Sequence, residues 1–314
     1  MSATTTATPV EHTARGTGLA LTAAVAAGAL VALQQRLNGQ LKTSLDDALL
    51  AALVSFGTGL LVLVVLVLAR PATRQAVRLV ARVPWPQRLA GLGGATLVAV
   101  GATAAPEIGV ALFTVGLVAG QTVGGLVADR AGWGPGGSRP LTVYRVLGAA
   151  LCLVAVAVSV LGDAARAASP LLLVVVVLTG FAVVAQQALN GRMRETTGQA
   201  AVATLVNFVV GTTALTAGFL VHTALVGAGD GAFPGPDQWY LYLGGPMGAA
   251  FVGVAAVVVR RLGVLRLGLS IVAGQLVGAL LLDLLAPVAD AAVSVTTVAG
   301  VALTFVAVAV SGRR

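Results

Sequence analysis

A polar hexapeptide occurs twice in this chain, 152 residues apart, each time toward the end of an apolar run. Gln34-Gln35-Arg36-Leu37-Asn38-Gly39 falls on Gln186-Gln187-Ala188-Leu189-Asn190-Gly191. The match continues without a gap through Ala48/Ala200, Leu53/Leu205, Val54/Val206, Phe56/Phe208 and Gly59/Gly211, with 11 identities in 26 over residues 34–59. At a shift of 154, Val118-Ala119-Gly120-Gln121 falls on Val272-Ala273-Gly274-Gln275, and Val123/Val277, Gly124/Gly278 and Asp129/Asp283 follow. Residues 109–129 hold 10 identities in 21, and residues 146–159 match 298–311 at 10 of 14. Apolar composition inflates the last score but does not explain matched Gln, Asn and Asp. The 314 residues are therefore two homologous halves.

Each half has to fold in lipid. Residues of the AVILMFWYC set make up 58% of the chain, charged residues 10%, and the mean hydropathy is +0.98. A water-facing surface needs roughly 25% charged residues, so a soluble globule is excluded. The apolar runs are near 20 residues or longer, the length of a spanning helix, whereas barrel strands would be half as long and alternating. Ten spans are expected, at about 17–37, 48–69, 88–105, 108–128, 141–161, 170–190, 200–225, 240–259, 263–285 and 292–311. Prolines punctuate them: Pro71, Pro84, Pro86, Pro106, Pro135, Pro140, Pro170, Pro234, Pro236 and Pro287. The Thr-rich residues 1–16 lack an apolar core and read as a disordered tail, not a cleaved signal.

Lys and Arg then orient the chain. With the N-terminus in the cytoplasm, 16 of the 19 basic residues fall on inner segments, and only Arg36, Lys42 and Arg166 fall outside. That asymmetry is the positive-inside pattern, and it places both termini in the cytoplasm. It also accounts for a net charge of +8 without nucleic acid. Five spans per half is an odd number, so the second half enters the membrane from the opposite side. The expected fold is all-α: ten transmembrane helices in two inverted five-helix repeats, 17–161 and 170–311, around a central cavity. Inverted repeats enclosing a midplane site are a recurrent architecture of secondary transporters. Arg74, Arg78 and Arg82 recur every four residues and are expected on one face of a short interfacial helix, held by lipid headgroups or serving as a regulatory site for anionic lipid.

The QQxLNG segment, the Ser55-Phe56-x-x-Gly59 that follows, and the Gly-Gln-x-x-Gly-x-x-x-x-Asp of the fourth span resemble the drug/metabolite transporter superfamily, and within it the YdcZ-like branch of single or fused five-helix units. The resemblance covers residues 17–311. It implies passage of small metabolites or drugs, often outward. One feature of the superfamily's small multidrug branch is missing, the buried acid of the first helix: spans 17–37 and 170–190 contain no Asp or Glu.

Polar side chains inside spans are costly and need a partner, a wet cavity or a substrate. The candidates for substrate contact come in pairs. Gln34, Gln35 and Asn38 match Gln186, Gln187 and Asn190; Ser55 matches Asn207; Gln121 matches Gln275. Carboxamides offer donor and acceptor together and suit a polar uncharged or zwitterionic ligand. The competing reading is that they bond neighbouring helices, with Gln121 and Gln275 in tight Gly-x-x-x-Gly seams between spans four and nine or their neighbours. Asp129 and Asp283 end spans four and nine and are expected at boundaries, Asp129 paired with Arg130 or Arg145. Glu107 and its repeat partner Arg261 read as loop residues, and His222 as structural. Cys152 is the sole cysteine, so no disulfide forms within the chain. No P-loop, dinucleotide fingerprint or metalloprotease motif is present, so neither an enzyme nor a cofactor is expected. The reading is a secondary transporter whose partners are a small-molecule substrate and the bilayer, with a monomer as the simplest unit and a homodimer left open. A non-transporting accessory or scaffold subunit is the alternative.

Overall fold

The computed structural model describes residues 9–108, 110–160, 170–227, 229–285 and 295–313. Helices make up its regular structure: α1 (Pro9–Leu45), α2 (Ala48–Ala69), α3 (Pro71–Val77), α4 (Trp85–Arg88), α5 (Gly91–Ile108), α6 (Val110–Arg130), α7 (Val143–Val160), α8 (Pro170–Thr197), α9 (Ala200–Val226), α10 (Gly244–Leu262), α11 (Val264–Leu285) and α12 (Val295–Ser311). No strand occurs among the described residues. A helix overlies each of the ten expected segments. Six stretches are long and apolar enough to cross a membrane: Gly16–Leu45, Ala48–Ala69, Pro170–Thr197, Ala200–Val226, Pro236–Leu262 and Val264–Leu282. Shorter apolar stretches lie within α5, α7 and α12.

The breaks between helices have local causes. Asp47 caps α2, its carboxylate accepting from Leu49 N (2.8 Å) and Leu50 N (3.0 Å), while Asp46 takes the left-handed conformation (φ +51°) that Asp tolerates in a turn. Between α10 and α11 a single residue, Gly263 at φ +80°, turns the chain; a side chain there would be strained. Two sequence expectations need correcting. Residues 9–16 belong to α1 rather than to a tail, residues 1–8 lying outside the described ones. The arginine stripe is broken, because the helix tightens at Arg78 into a 3-10 turn over Arg78–Arg82. At three residues per turn, Arg82 no longer shares a face with Arg74 and Arg78, although all three are exposed.

Equivalent helices run in opposite directions. The first turns of α1, with Gly16 beside Arg261, lie at the end of the bundle where the last turns of α8 lie, with Arg192 donating to Gly132 O. α11 begins where α6 ends, its first amides bound by Asp129. The loop after α6, the ends of α8, α10 and α12, and the start of α1 therefore share one end, here termed the basic end. At the opposite end, Ala232 N donates to Ser44 O (3.0 Å).

Packing is reciprocal and crosses between the halves. α1 lies on α10 and α11; its counterpart α8 lies on α5 and α6; α2 pairs with α9 and α7 with α12. Lipid offers no hydrophobic drive for helix association, so close van der Waals approach has to supply it, and small residues permit that approach. A Cβ added to Gly180 of α8 would lie 2.8 Å from Gln121 N of α6, and one on Gly28 of α1 would lie 3.0 Å from Gln275 N of α11. One apolar cluster joins helices of both halves: Ala24, Ala128, Val184, Ala188, Ala255, Val259, Leu262 and Ile271 are all buried. Other large apolar side chains face outward, as Leu61, Leu68, Leu171, Leu178, Leu220 and Val221 do.

Candidate functional site

The second hexapeptide forms a buried amide chain. Gln186 Nε2 donates to Asn207 Oδ1 (3.3 Å), and Asn207 Nδ2 donates to Asn190 Oδ1 (3.3 Å), tying α8 to α9. Gln186, Gln187, Asn190 and Asn207 are all at least nine-tenths buried. Gln187 Oε1 has no hydrogen-bond partner among the described residues. The first hexapeptide sits in a looser setting. Gln34 and Asn38 are half-buried and Gln35 is exposed, while Ser55 is buried. Asn38 Oδ1 and Ser55 Oγ are buried without partners and meet at Gly244. An unmet buried polar atom costs about 1–3 kcal/mol, and none of these three has a hydrogen-bond partner among the described residues.

A second repeated motif holds these groups, and sequence reasoning missed it. Gly91-x-x-Gly94-Ala95 in α5 matches Gly245-x-x-Gly248-Ala249 in α10 at the shift of 154. Gly91 abuts the backbone of Asn207 and Gly211, and Gly94 lies on the Gln186 carboxamide. In the other half Gly245 abuts the backbone of Ser55 and Gly59, and Gly248 lies on the Gln34 carboxamide. α5 and α10 thus each lay bare backbone against the polar residues of the opposite half. The signal was present as a shared Gly-x-x-Gly-Ala, but apolar surroundings hid it.

Gln121 and Gln275 are not part of these clusters. They lie in the α6–α8 and α1–α11 seams, opposite Gly180 and Gly28, so the tight seams are with neighbouring spans rather than between spans four and nine. Gly28 precedes Gln34 by six residues, about 9 Å along the helix. A cleft of about 320 Å³ lined by Gln87, Gly134, Pro135, Gly137, Arg192, Glu195 and Thr196 opens at the basic end. Beside this cleft Gly191 packs tightly: a Cβ on it would lie 2.9 Å from Pro135, and Val259 fills the same spot.

Asp129 is a structural knot. Its carboxylate accepts from Val264 N (2.7 Å) and Leu265 N (3.1 Å) and forms a buried ion pair with Arg145. Of the two expected arginines, Arg145 is the partner. Arg139 reaches across to the carbonyls that end α10, Leu262 O (3.0 Å), Arg260 O (3.0 Å) and Arg261 O (3.2 Å). Partial burial pushes this guanidinium below its usual pKa, Asp129 pulling the other way. The side chains of Asp283 and Glu107 lie outside the described residues; His222 is half-buried. No group of acids, His and Cys able to hold a metal occurs among the described residues.

Two units of the chain, residues 19–158 and 171–310, each match the family described as "Putative inner membrane exporter, YdcZ". The chain belongs to this family. The two YdcZ units make the chain a repeat of two like parts. Among solved structures, a crystal structure 24% identical to this chain is similar in fold, with a TM-score of 0.66 over 95% of this chain and 96% of the other. No curated protein matches. YdcZ membership makes this a multi-pass membrane protein of a transporter family.

Proposed function

We propose that this YdcZ protein is a secondary transporter of ten membrane-spanning helices that exports a small, polar organic molecule from the cytoplasm by alternating access. The observation that carries the reading is the reciprocal packing of each polar helix on the glycine helix of the opposite half. Any rocking of one half against the other must move Gln34, Asn38 and Ser55 relative to Gly244–Gly248, and Gln186 and Asn207 relative to Gly91–Gly94. Such motion opens and closes a path beside uncharged hydrogen-bonding groups, as inverted-repeat transporters require. The substrate contacts are Gln34, Gln35, Asn38 and Ser55 on one side and Gln186, Gln187, Asn190 and Asn207 on the other, with Gln121 and Gln275 lining the seams that slide. A carboxamide binds a polar ligand without the desolvation cost of a charge. The Gly191–Pro135–Val259 contact is the closed inner gate.

Two experiments test this. A thermal-shift screen of the purified protein against amino acids, nucleobases, organic cations and aromatic acids should find one class that stabilises the fold; binding at 100 times Kd adds about 2.7 kcal/mol. Gln187→Leu should then lower transport at least tenfold while melting within about 2 °C of wild type. Normal transport by that variant refutes the site, and loss of transport only through misfolding makes the glutamine interhelical glue.

The basic end is assigned to the cytoplasm on the 16:3 distribution of Lys and Arg. Single cysteines at Thr43 and at Ala72, in a Cys152→Ser background, should label from outside and inside respectively. The reverse pattern inverts the topology and the transport direction argued from it.

A further inference from the structure

Three arginines and one aspartate meet where α10 passes into α11. Arg139 wraps the carbonyls of residues 260–262. The Asp129–Arg145 pair binds the amides of residues 264 and 265. Arg266 follows directly, half-buried, its guanidinium laid over Gly312 at the end of α12, where a Cβ would sit 2.8 Å from its Cζ. Along the chain Arg266 is the residue after the amides that the Asp129–Arg145 pair holds and four after the carbonyl of Leu262 that Arg139 holds. A guanidinium stays charged in proteins, so the junction carries two positive charges more than its carboxylate balances. The hydrogen bonds are short of acceptors too. Arg145 is nine-tenths buried, yet its Nε has no partner; Arg266 Nε is likewise buried and unpartnered, and the Arg266 side chain donates no hydrogen bond among the described residues.

Positive-inside topology explains why arginines lie at this end, but exposed ones such as Arg74 and Arg78 satisfy it without burial. Asp129 and the carbonyls that end α10 offset part of this charge, but none of them reaches Arg266. A partner that fits Arg266 carries negative charge and several acceptor oxygens at fork spacing, which describes a phosphate-type oxyanion. The adjoining surface points to its carrier. Leu141, Val143, Tyr144, Val146 and Leu147, flanking Arg145 at the start of α7, are exposed apolar and aromatic side chains, the pattern of a segment at headgroup depth.

We propose that Arg266, with Arg145 and Arg139 behind it, is a binding site for a phosphate-type oxyanion, presented by the headgroup of an anionic lipid at the basic end of the bundle. The site is separate from the carboxamides and stands whether or not they contact substrate. The bound headgroup neutralises the junction and staples α7, α11 and α12 together.

The test uses the full chain, stripped of lipid in a neutral detergent, with melting followed as lipid is added back. Phosphatidylglycerol should raise the melting temperature by about 5 °C, and phosphatidylcholine, whose headgroup is neutral overall, by less than half of that. Arg266→Gln should remove most of the phosphatidylglycerol increment, and the exposed control Arg78→Gln should keep it. Native mass spectrometry should show one tightly held anionic lipid lost in Arg266→Gln. If inorganic phosphate alone reproduces the shift, and Arg266→Gln abolishes it, the oxyanion site stands with a free ion as its source. No shift from either ligand, or a full shift in Arg266→Gln, overturns the proposal. Without lipid, Arg266→Gln should melt at or above wild type because a repelled charge has gone; a lower melting point would mean that Arg266 already has a structural partner, and would also overturn it.

Discussion

Asp129→Ala should abolish most of the folded protein. The substitution leaves Arg145 buried without its carboxylate and strips the acceptors from Val264 N and Leu265 N at the start of α11. Breaking one side of a buried pair costs about 3–5 kcal/mol, and losing a helix cap adds about 1 kcal/mol. Against a total stability of about 5–15 kcal/mol, that takes a large share. Asp129→Asn should fall between, since an amide oxygen still accepts from a backbone N–H but carries no charge for Arg145. The measurement is the monodisperse fraction after detergent extraction, with the melting temperature of what survives. Wild-type melting in Asp129→Ala would show that the knot is dispensable.

Gly180→Val should be nearly as damaging, and Gly39→Ala harmless. Both glycines lie inside helices of equivalent kind. A Cβ on Gly180 meets the backbone of α6, including Gln121 N at 2.8 Å, which cannot rotate out of the way. Inserting carbon into a packed core costs about 1–3 kcal/mol where side chains can give; here backbone must move, so the upper end or beyond is expected. No described atom lies within 4 Å of a Cβ on Gly39, which is exposed. Alanine there should be neutral or stabilise by up to about 1 kcal/mol, as in other helix interiors. Equal melting of the two variants would refute the cross-half seam.

The helices and the repeat were legible because their signals are local or self-similar: apolar runs of bilayer length, prolines between them, and one polar hexapeptide written twice. Asp129 was placed at a helix end, but its partners are 135 and 136 residues away at Val264 and Leu265, and no local pattern encodes that distance. The choice of Arg145 over Arg130 likewise depends on how the loop folds back, with Arg139 N donating to Asp129 O (2.7 Å). Arg74, Arg78 and Arg82 misled because a four-residue spacing implies a shared face only while the α-helical pitch persists. Within the candidate site, identical residues met different surroundings: Gln187 is buried and Gln35 exposed, although their hexapeptides match. Such a difference belongs to packing and is invisible in a repeat.

The interleaving of the halves also governs how the protein is made. When α7 has been synthesised, the glycine face of α5 and the polar face of α1 still lack the surfaces they rest on, because α8, α10 and α11 do not yet exist. Roughly 150 residues remain to be translated, on the order of ten to thirty seconds at typical elongation rates. Through that interval the helices of the first half wait in the bilayer with unfinished contacts, open to quality-control proteases and to pairing with a second nascent chain. Biogenesis of the bundle is thus a race between translation and degradation, and its vulnerable moment is set by the order of the helices rather than by the stability of the finished protein.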